Sequence, residues 1–180
     1  MERLQRDALL VTLIEHLQQQ GSWCGETHIQ KTAYFLQDLM AVPLGFDFIL
    51  YKHGPYSFDL TSELTQMRAD GIVSLLPQPP YGASYRPGRT SEVVKNLYPK
   101  TIQKYTRQIN FIAQRLGAGN VASLERLATA LFVTLRGKEA GVKARAQRIS
   151  QLKPHIPVGE ALDAVQRVDG IRHDSQAILG

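Results

Sequence analysis

From Pro99 onward the apolar residues of this chain recur at helical spacing with little interruption, which limits the back half to packed helices. Ile102, Tyr105, Ile109, Ile112 and Leu116 stand three or four residues apart, the interval that lines up side chains on one helix face. Pro99 sits at the first turn, where its missing N–H costs nothing. Gly117-Ala118-Gly119 breaks the pattern, and Leu124, Leu127, Leu131 and Leu135 resume it until Gly137. Val142, Ile149 and Leu152 predict a further helix that stops before Pro154. Pro157 opens the last one, with Leu162, Val165 and Val168 inward and Gly170 as its C-cap. The final ten residues either fray or dock.

The front half is more varied. Residues 4–19 predict an amphipathic helix burying Leu10, Leu13, Ile14 and Leu17. This stretch has a superficial likeness to a signal peptide, but Asp7 and Glu15 lie inside the apolar run and no small-residue cleavage site follows. A second helix is expected from Thr27, with Gln30 completing a capping box, and with Ile29, Ala33, Leu36 and Met40 inward. Phe46 to Tyr51 alternates and predicts a strand. His53 to Tyr56 reads as a turn, followed by a helix over 57–69 that buries Leu60, Leu64 and Met67. Ile72–Leu76 and Ala83–Arg86 are expected to pair around a turn-rich tip, forming a wing.

These elements predict a mainly α fold with a small β component. A winged-helix-like N-terminal half (residues 1–90) precedes a helical C-terminal half (91–180), the two packed as one domain. At 180 residues and 43% hydrophobic content, the chain can bury a core without staples. The lone Cys24 excludes an internal disulfide framework and a Cys-based zinc cluster. No apolar run approaches the roughly 20 residues of a membrane span. The expectation is a soluble, cytoplasmic protein with no membrane partner.

Charge is distributed unevenly. Residues 1–85 carry five Lys/Arg against nine Asp/Glu, whereas residues 86–115 carry seven against Glu92 alone, and residues 136–153 carry six against Glu139. Lys100, Lys104 and Arg107 share one helix face, with Lys95 close by. Lys138, Lys143, Arg145 and Arg148 form a second basic patch. Such patches are either solvated faces or docking surfaces for an acidic protein or for nucleic acid.

Signals for catalysis are weak. No two of His16, His28, His53, His155 and His173 share a helix at i, i+4 spacing, and no phosphate-binding glycine loop is present. Cys24 reads as a structural thiol, with no basic neighbour in sequence to activate it. Neither a cofactor nor a metal is expected, and the chain reads as a non-enzyme. The densest constellation is Gln30-Lys31 and Tyr34-Phe35-Leu36-Gln37, followed by Tyr51-Lys52-His53-Gly54-Pro55-Tyr56. Packing alone accounts for these residues: an aromatic helix face and a Gly-Pro reversal into the next helix. A hydrogen bond from one of the tyrosines to His53 is the expected internal contact.

The paired motif Gln30-Lys31-x-x-Tyr34-Phe35-Leu36-Gln37 and Tyr51-Lys52-His53-Gly54-Pro55-Tyr56-Ser57 resembles the YwgA-like and Panacea-domain (SocA-like) proteins, and the C-terminal domain of DarG-type antitoxins. The resemblance is best over residues 5–90. It implies an antitoxin or adaptor that binds a toxin, a protease or another effector, with no catalytic residues to carry over. It marks Gln30, Lys31, Tyr34, Gly54, Pro55 and Tyr56 as signature positions; Tyr51 and His53 join them as interaction candidates.

The alternative is a winged-helix DNA-binding regulator. Asp59, Glu63 and Asp70 around Arg68 argue against it, because carboxylates on the recognition helix repel phosphate. Arg86 and Arg89 on the wing compensate in part. The apolar helix 124–135 is compatible with a homodimer interface and equally with core burial.

Overall fold

The computed structural model describes residues 1–180, apart from the Tyr81 side chain. Helix α1 (Arg3–Gln19) lies at its centre, with every residue from Asp7 to Ile14 buried. A helix enclosed around its whole circumference belongs inside a protein rather than at its surface. The expected amphipathic stripe of Leu10, Leu13, Ile14 and Leu17 is therefore only part of what α1 buries.

Helix α2 (Glu26–Tyr34) runs directly into a π-helical turn, Phe35–Leu39. The capping box expected at Thr27 and Gln30 does not form. Gly25 is the N-cap, without a side-chain cap, and Gln30 turns into the core instead. Strand β1 (Ile49–Tyr51) pairs antiparallel with β2 (Gly54–Tyr56) across a two-residue turn, with Leu50 opposite Pro55. The expected strand from Phe46 is thus shorter, and half of the expected 53–56 turn is itself a strand. Phe46 and Phe48 are still buried, as the alternation required.

Ser57 caps α3 (Phe58–Ala69) by accepting from the Leu60 N–H at 3.3 Å. Leu60, Leu64 and Met67 face the core as expected. The wing follows as β3 (Val73–Gln78) and β4 (Tyr81–Pro87), paired antiparallel. Strand β1 does not join it, so the two hairpins are separate sheets. In this respect the front half departs from a winged helix.

The back half holds α4 (Ser91–Leu97), which the periodicity did not announce, then α5 (Pro99–Leu116), α6 (Val121–Arg136), α7 (Val142–Leu152) and α8 (Val158–Leu179). With 65% of residues helical and 10% in strands, the fold is mainly α with a small β component. Gly170 is not a C-cap. Helix α8 passes straight through it, because Ile171 and Ser175 continue the buried face set by Val165 and Val168. The end of α8 is docked on α5: Asp174 pairs with Arg115 at 2.6 Å, and the Ala177 carbonyl accepts from Arg107 at 3.4 Å.

One hydrophobic core draws on both halves. Helix α1 packs on α4, α5 and β4; α6 packs on α2, β2, α7 and α8. Leu124, Leu127 and Leu131 are consumed by that packing, and only Leu135 of the stripe is exposed. The stripe on α6 is therefore core, not a free dimer face. Among the described residues no helix is long and apolar enough to cross a membrane.

Candidate functional site

A staple of hydrogen bonds binds one chain segment, Phe46 to Ser57, to helix α2 and the turn that continues it. Gln30, fully buried, donates from Nε2 to the Ser57 carbonyl at 2.8 Å and accepts the Ser57 N–H at 2.9 Å. Seven residues on, Gln37 treats Phe46 the same way, donating at 2.9 Å and accepting at 2.9 Å. Gln30 lies on α2 and Gln37 in the π-helical turn that continues it, and each amide reaches the same chain segment. Each primary amide copies the donor–acceptor pair of a β-ladder rung and satisfies two backbone groups at once. The segment from Phe46 to Ser57 is thereby fixed at both ends.

Lysines hold its middle. Lys31 is 1% exposed and donates from Nζ to the Pro55 carbonyl at 2.7 Å. Burial pushes its pKa down to about 8; Glu125 and Glu26 pull it back, and Lys153 adds to the fall. Lys153 crosses from the end of α7 to the other strand, donating to the Tyr51 carbonyl and, at 2.8 Å, to the Lys52 carbonyl. Its pKa is also lowered by burial, opposed by Glu125. Glu125 on α6 is the carboxylate common to both lysines, and it also meets two imidazoles. His155 Nε2 lies 2.8 Å and His53 Nδ1 3.5 Å from it. The expected tyrosine-to-His53 hydrogen bond is replaced by this contact.

Gly54 explains why the hairpin fits. Its φ is +84°, and a Cβ there would stand 2.9 Å from Thr129 Oγ1 on α6. Both the left-handed backbone and the close approach require glycine. Pro55 is buried beside it, while Tyr56 turns its hydroxyl to Glu26 at 3.0 Å and Thr61 at 2.6 Å. Burial raises the pKa of Tyr56. Tyr34 is fully buried, edge-on to Phe48 with ring centroids 5.2 Å apart, and its hydroxyl lacks a hydrogen-bond partner. Gln30, Lys31, Tyr34, Gly54 and Pro55 are thus interior residues that shape the hairpin.

What the hairpin presents outward is aromatic. Tyr51 is 50% exposed and Phe58, at the first turn of α3, is 56% exposed. Tyr51, Tyr56 and Phe58 contact one another pairwise, with centroids 5.8, 5.5 and 5.1 Å apart. Ile49, two residues before Tyr51 on the same strand face, is also exposed. Phe58 escaped the sequence reading, although one signal marked it: an aromatic directly after the N-cap and off the Leu60, Leu64, Met67 stripe. Glu125 and Lys153 lie far from the motif in sequence; the Lys153-Pro154 step has only a looser likeness to the group that the motif resembles, and Glu125 carried no signal of its own.

The basic residues divide. Lys100, Lys104 and Arg107 are exposed on α5, as is Lys143 on α7. Arg148 is exposed and lies 3.8 Å from Glu139. Arg145 does not belong to a surface patch: it is 6% exposed, bonded to both Asp169 oxygens at 2.8 and 2.6 Å and to Thr134 at 2.9 Å. Helical spacing turns Arg145 inward with Ala146 and Ile149. The acidic character of α3 also needs correction. Glu63 is buried and paired with Arg3 and Arg6, and Asp70 pairs with Arg3 at 2.6 Å, so two of its three carboxylates are neutralised by α1.

Among the described residues no group of three or more His, Cys, Asp or Glu is arranged to hold a metal ion. Cys24 is buried against the Ile14 carbonyl, and burial raises its pKa. A cleft of about 690 Å³ runs between the π-helical turn, α6 and α8, and its Arg145 and Asp169 bond each other. No family model matches the chain, and no curated protein matches it.

Proposed function

We propose that this chain is a protein-binding adaptor or antitoxin-like regulatory module, without catalytic chemistry of its own. Its partner contact is the aromatic face of Tyr51, Tyr56 and Phe58. The observation that carries this reading is the exposure of Tyr51 and Phe58 on a backbone clamped by Gln30, Lys31 and Lys153. Aromatic side chains dominate the energetics of protein interfaces. A surface fixed in advance loses little entropy on binding. The polar residues nearby are spent on holding that surface. The partner class is a toxin, a protease or another effector protein.

The test is affinity capture from native cells, with nuclease added to half the sample, comparing the wild type with Tyr51→Ser/Phe58→Ser. The expected result is a stoichiometric protein partner in both halves that the double variant loses while its melting temperature stays near the wild-type value. Equal retention by the variant, or recovery that depends on intact DNA, would overturn the proposal.

A second reading is a DNA-binding winged helix. It is favoured by the outer face of α3, where Ser62, Thr65, Gln66 and Arg68 are exposed, with Arg86 and Arg89 on and beside the wing. The neutralisation of Glu63 and Asp70 by α1 removes part of the charge argument against it. Duplex binding lost on Arg68→Ala/Arg86→Ala would establish this reading. Duplex affinity indifferent to those changes would remove it.

A further inference from the structure

Several surface cations of this chain have a carboxylate partner. Lys95 holds Glu15 at 2.7 Å, Arg115 holds Asp174 at 2.6 Å, Arg126 holds Glu160 at 2.7 Å and Arg136 holds Asp38 at 2.9 Å. Lys100, Lys104 and Arg107 differ. They are exposed, and among the described residues no carboxylate lies within ion-pair distance of them. Arg107 reaches only the Ala177 carbonyl, and Lys104 lies over the Tyr105 ring at 5.1 Å from its centroid.

This arrangement opposes helix stability twice. Lys100 and Lys104 are like charges at i, i+4, which repel. Lys100 is also the second residue of α5, at the end of the helix dipole where a cation is unfavourable. Neither cost is relieved within the fold.

Beside these charges is a groove of about 340 Å³ between α1, the loop before β1 and α5. Met1, Pro43 and Tyr105 give it an apolar lining, and Lys100 and Lys104 stand on its α5 wall. Met1 is 44% exposed there. The groove is mixed, with Gln5 and Thr101 among its lining residues and Arg107 one helical turn beyond Lys104. Apolar side chains beside three unneutralised cations are complementary to a peptide that combines carboxylates with an apolar side chain.

We propose that the groove docks an acidic segment of a partner protein, with an apolar side chain against Met1, Pro43 and Tyr105 and carboxylates on Lys100, Lys104 and Arg107. Nucleic acid fits less well. The three cations span about 10 Å of helix, at 1.5 Å per residue, and meet few phosphates. The Tyr105 ring, which would have to stack a base, already carries the Lys104 ammonium. This surface is formed by α5 and the start of α1, whereas the aromatic face is formed by the first hairpin and α3. The two proposals therefore fail independently.

The test is fluorescence anisotropy with a short labelled peptide in which Asp and Glu flank a pair of leucines. Its controls are the same peptide with serine for leucine, and single-stranded and duplex DNA of matched charge. The expected result is binding of the leucine peptide, weakened about tenfold or more, some 1.4 kcal/mol, by Lys100→Gln/Lys104→Gln/Arg107→Gln. The serine peptide should bind more weakly, and Tyr51→Ser/Phe58→Ser should change nothing. Lys100→Gln/Lys104→Gln, which spares the Arg107 contact to Ala177, should also weaken the peptide while leaving the melting temperature unchanged or higher, which separates lost docking from lost folding. Absence of peptide binding, affinity indifferent to the glutamine variant, or tighter binding of DNA through the same three residues would each overturn the proposal.

Discussion

Gln30 on α2 and Ser57 before α3 exchange two hydrogen bonds, the amide donating to the Ser57 carbonyl at 2.8 Å and accepting its N–H at 2.9 Å. The pair is buried and joins two helices through backbone that belongs to neither. Gln30→Leu leaves the Ser57 N–H without a partner in the interior, while the Ser57 carbonyl keeps the Thr61 N–H at 3.3 Å. The expected cost is roughly 1–3 kcal/mol, that of one buried unsatisfied group, read as a lower denaturation midpoint at unchanged slope. A loss below about 0.5 kcal/mol would show that water replaces the amide.

Lys31 makes a pH prediction. Its folded pKa of about 8 lies below the 10.5 of the free side chain. Between those values the unfolded chain binds more protons than the folded one, so stability rises with pH from about 8 to 10.5. Below that window both states are charged and the full cost of the buried ammonium is present. Lys31→Met should flatten this rise in a series of urea titrations across the window. At neutral pH the variant sheds the cost of the buried ammonium but orphans the Pro55 carbonyl, about 1–3 kcal/mol, so the two changes oppose each other and the flattened slope is the readout.

Asp7 predicts the opposite slope at lower pH. It is fully buried on α1, and burial pushes its pKa up to about 7; Glu63 adds to the rise, while Arg3 and Arg6 oppose it. Neither Asp7 oxygen has a hydrogen-bond partner. The folded state therefore holds a proton that the unfolded state releases, and stability falls as pH rises from about 3.8 to 7. Asp7→Asn should remove this dependence and raise the melting temperature at pH above 7 relative to wild type, with little difference near pH 4. A wild-type melting temperature that climbs steadily across that interval, and a variant that follows it, would refute the assignment.

Gly54 and Gly45 separate two physical effects. Both have positive φ, +84° and +80°, but a Cβ at Gly45 meets nothing within 4 Å, whereas one at Gly54 meets Thr129 Oγ1 at 2.9 Å. Gly45→Ala should cost only the backbone term, about 1–2 kcal/mol. Gly54→Ala should cost more, and Thr129→Ala in its background should recover part of the difference. Equal losses at the two positions would mean that α6 yields to the added carbon.

The back-half helices were legible because each buries one stripe, and a stripe written at intervals of three and four residues is local information. Two helices are exceptions: α4 is short and buries only Ser91 and Val94, too few to write a stripe, and in α8 Gly170 reads as a common helix terminator, while Ile171 and Ser175 keep the helix going by burial. Arg145 was misplaced for a related reason. A charge count cannot see that helical phase turns this guanidinium onto Asp169 while Lys143 stays in water.

The sequence by itself determined most of the helical segments, where the wing hairpin lies, and that Gln30, Lys31 and Gly54-Pro55-Tyr56 form a set; the pairing of β1 with β2 and the short α4 were not written in it. Those properties depend on neighbours within a few residues, or on a motif read as a string. Only the tertiary structure decided what the set does. Gln30 and Lys31 point inward to hold a backbone segment some twenty-odd residues away, and Glu125 and Lys153 arrive from α6 and α7 to complete the clamp. Tyr51 and Phe58 are left outside by that same packing. A buried polar group must find its partner wherever the chain brings one, and that pairing has no periodicity for a sequence to display.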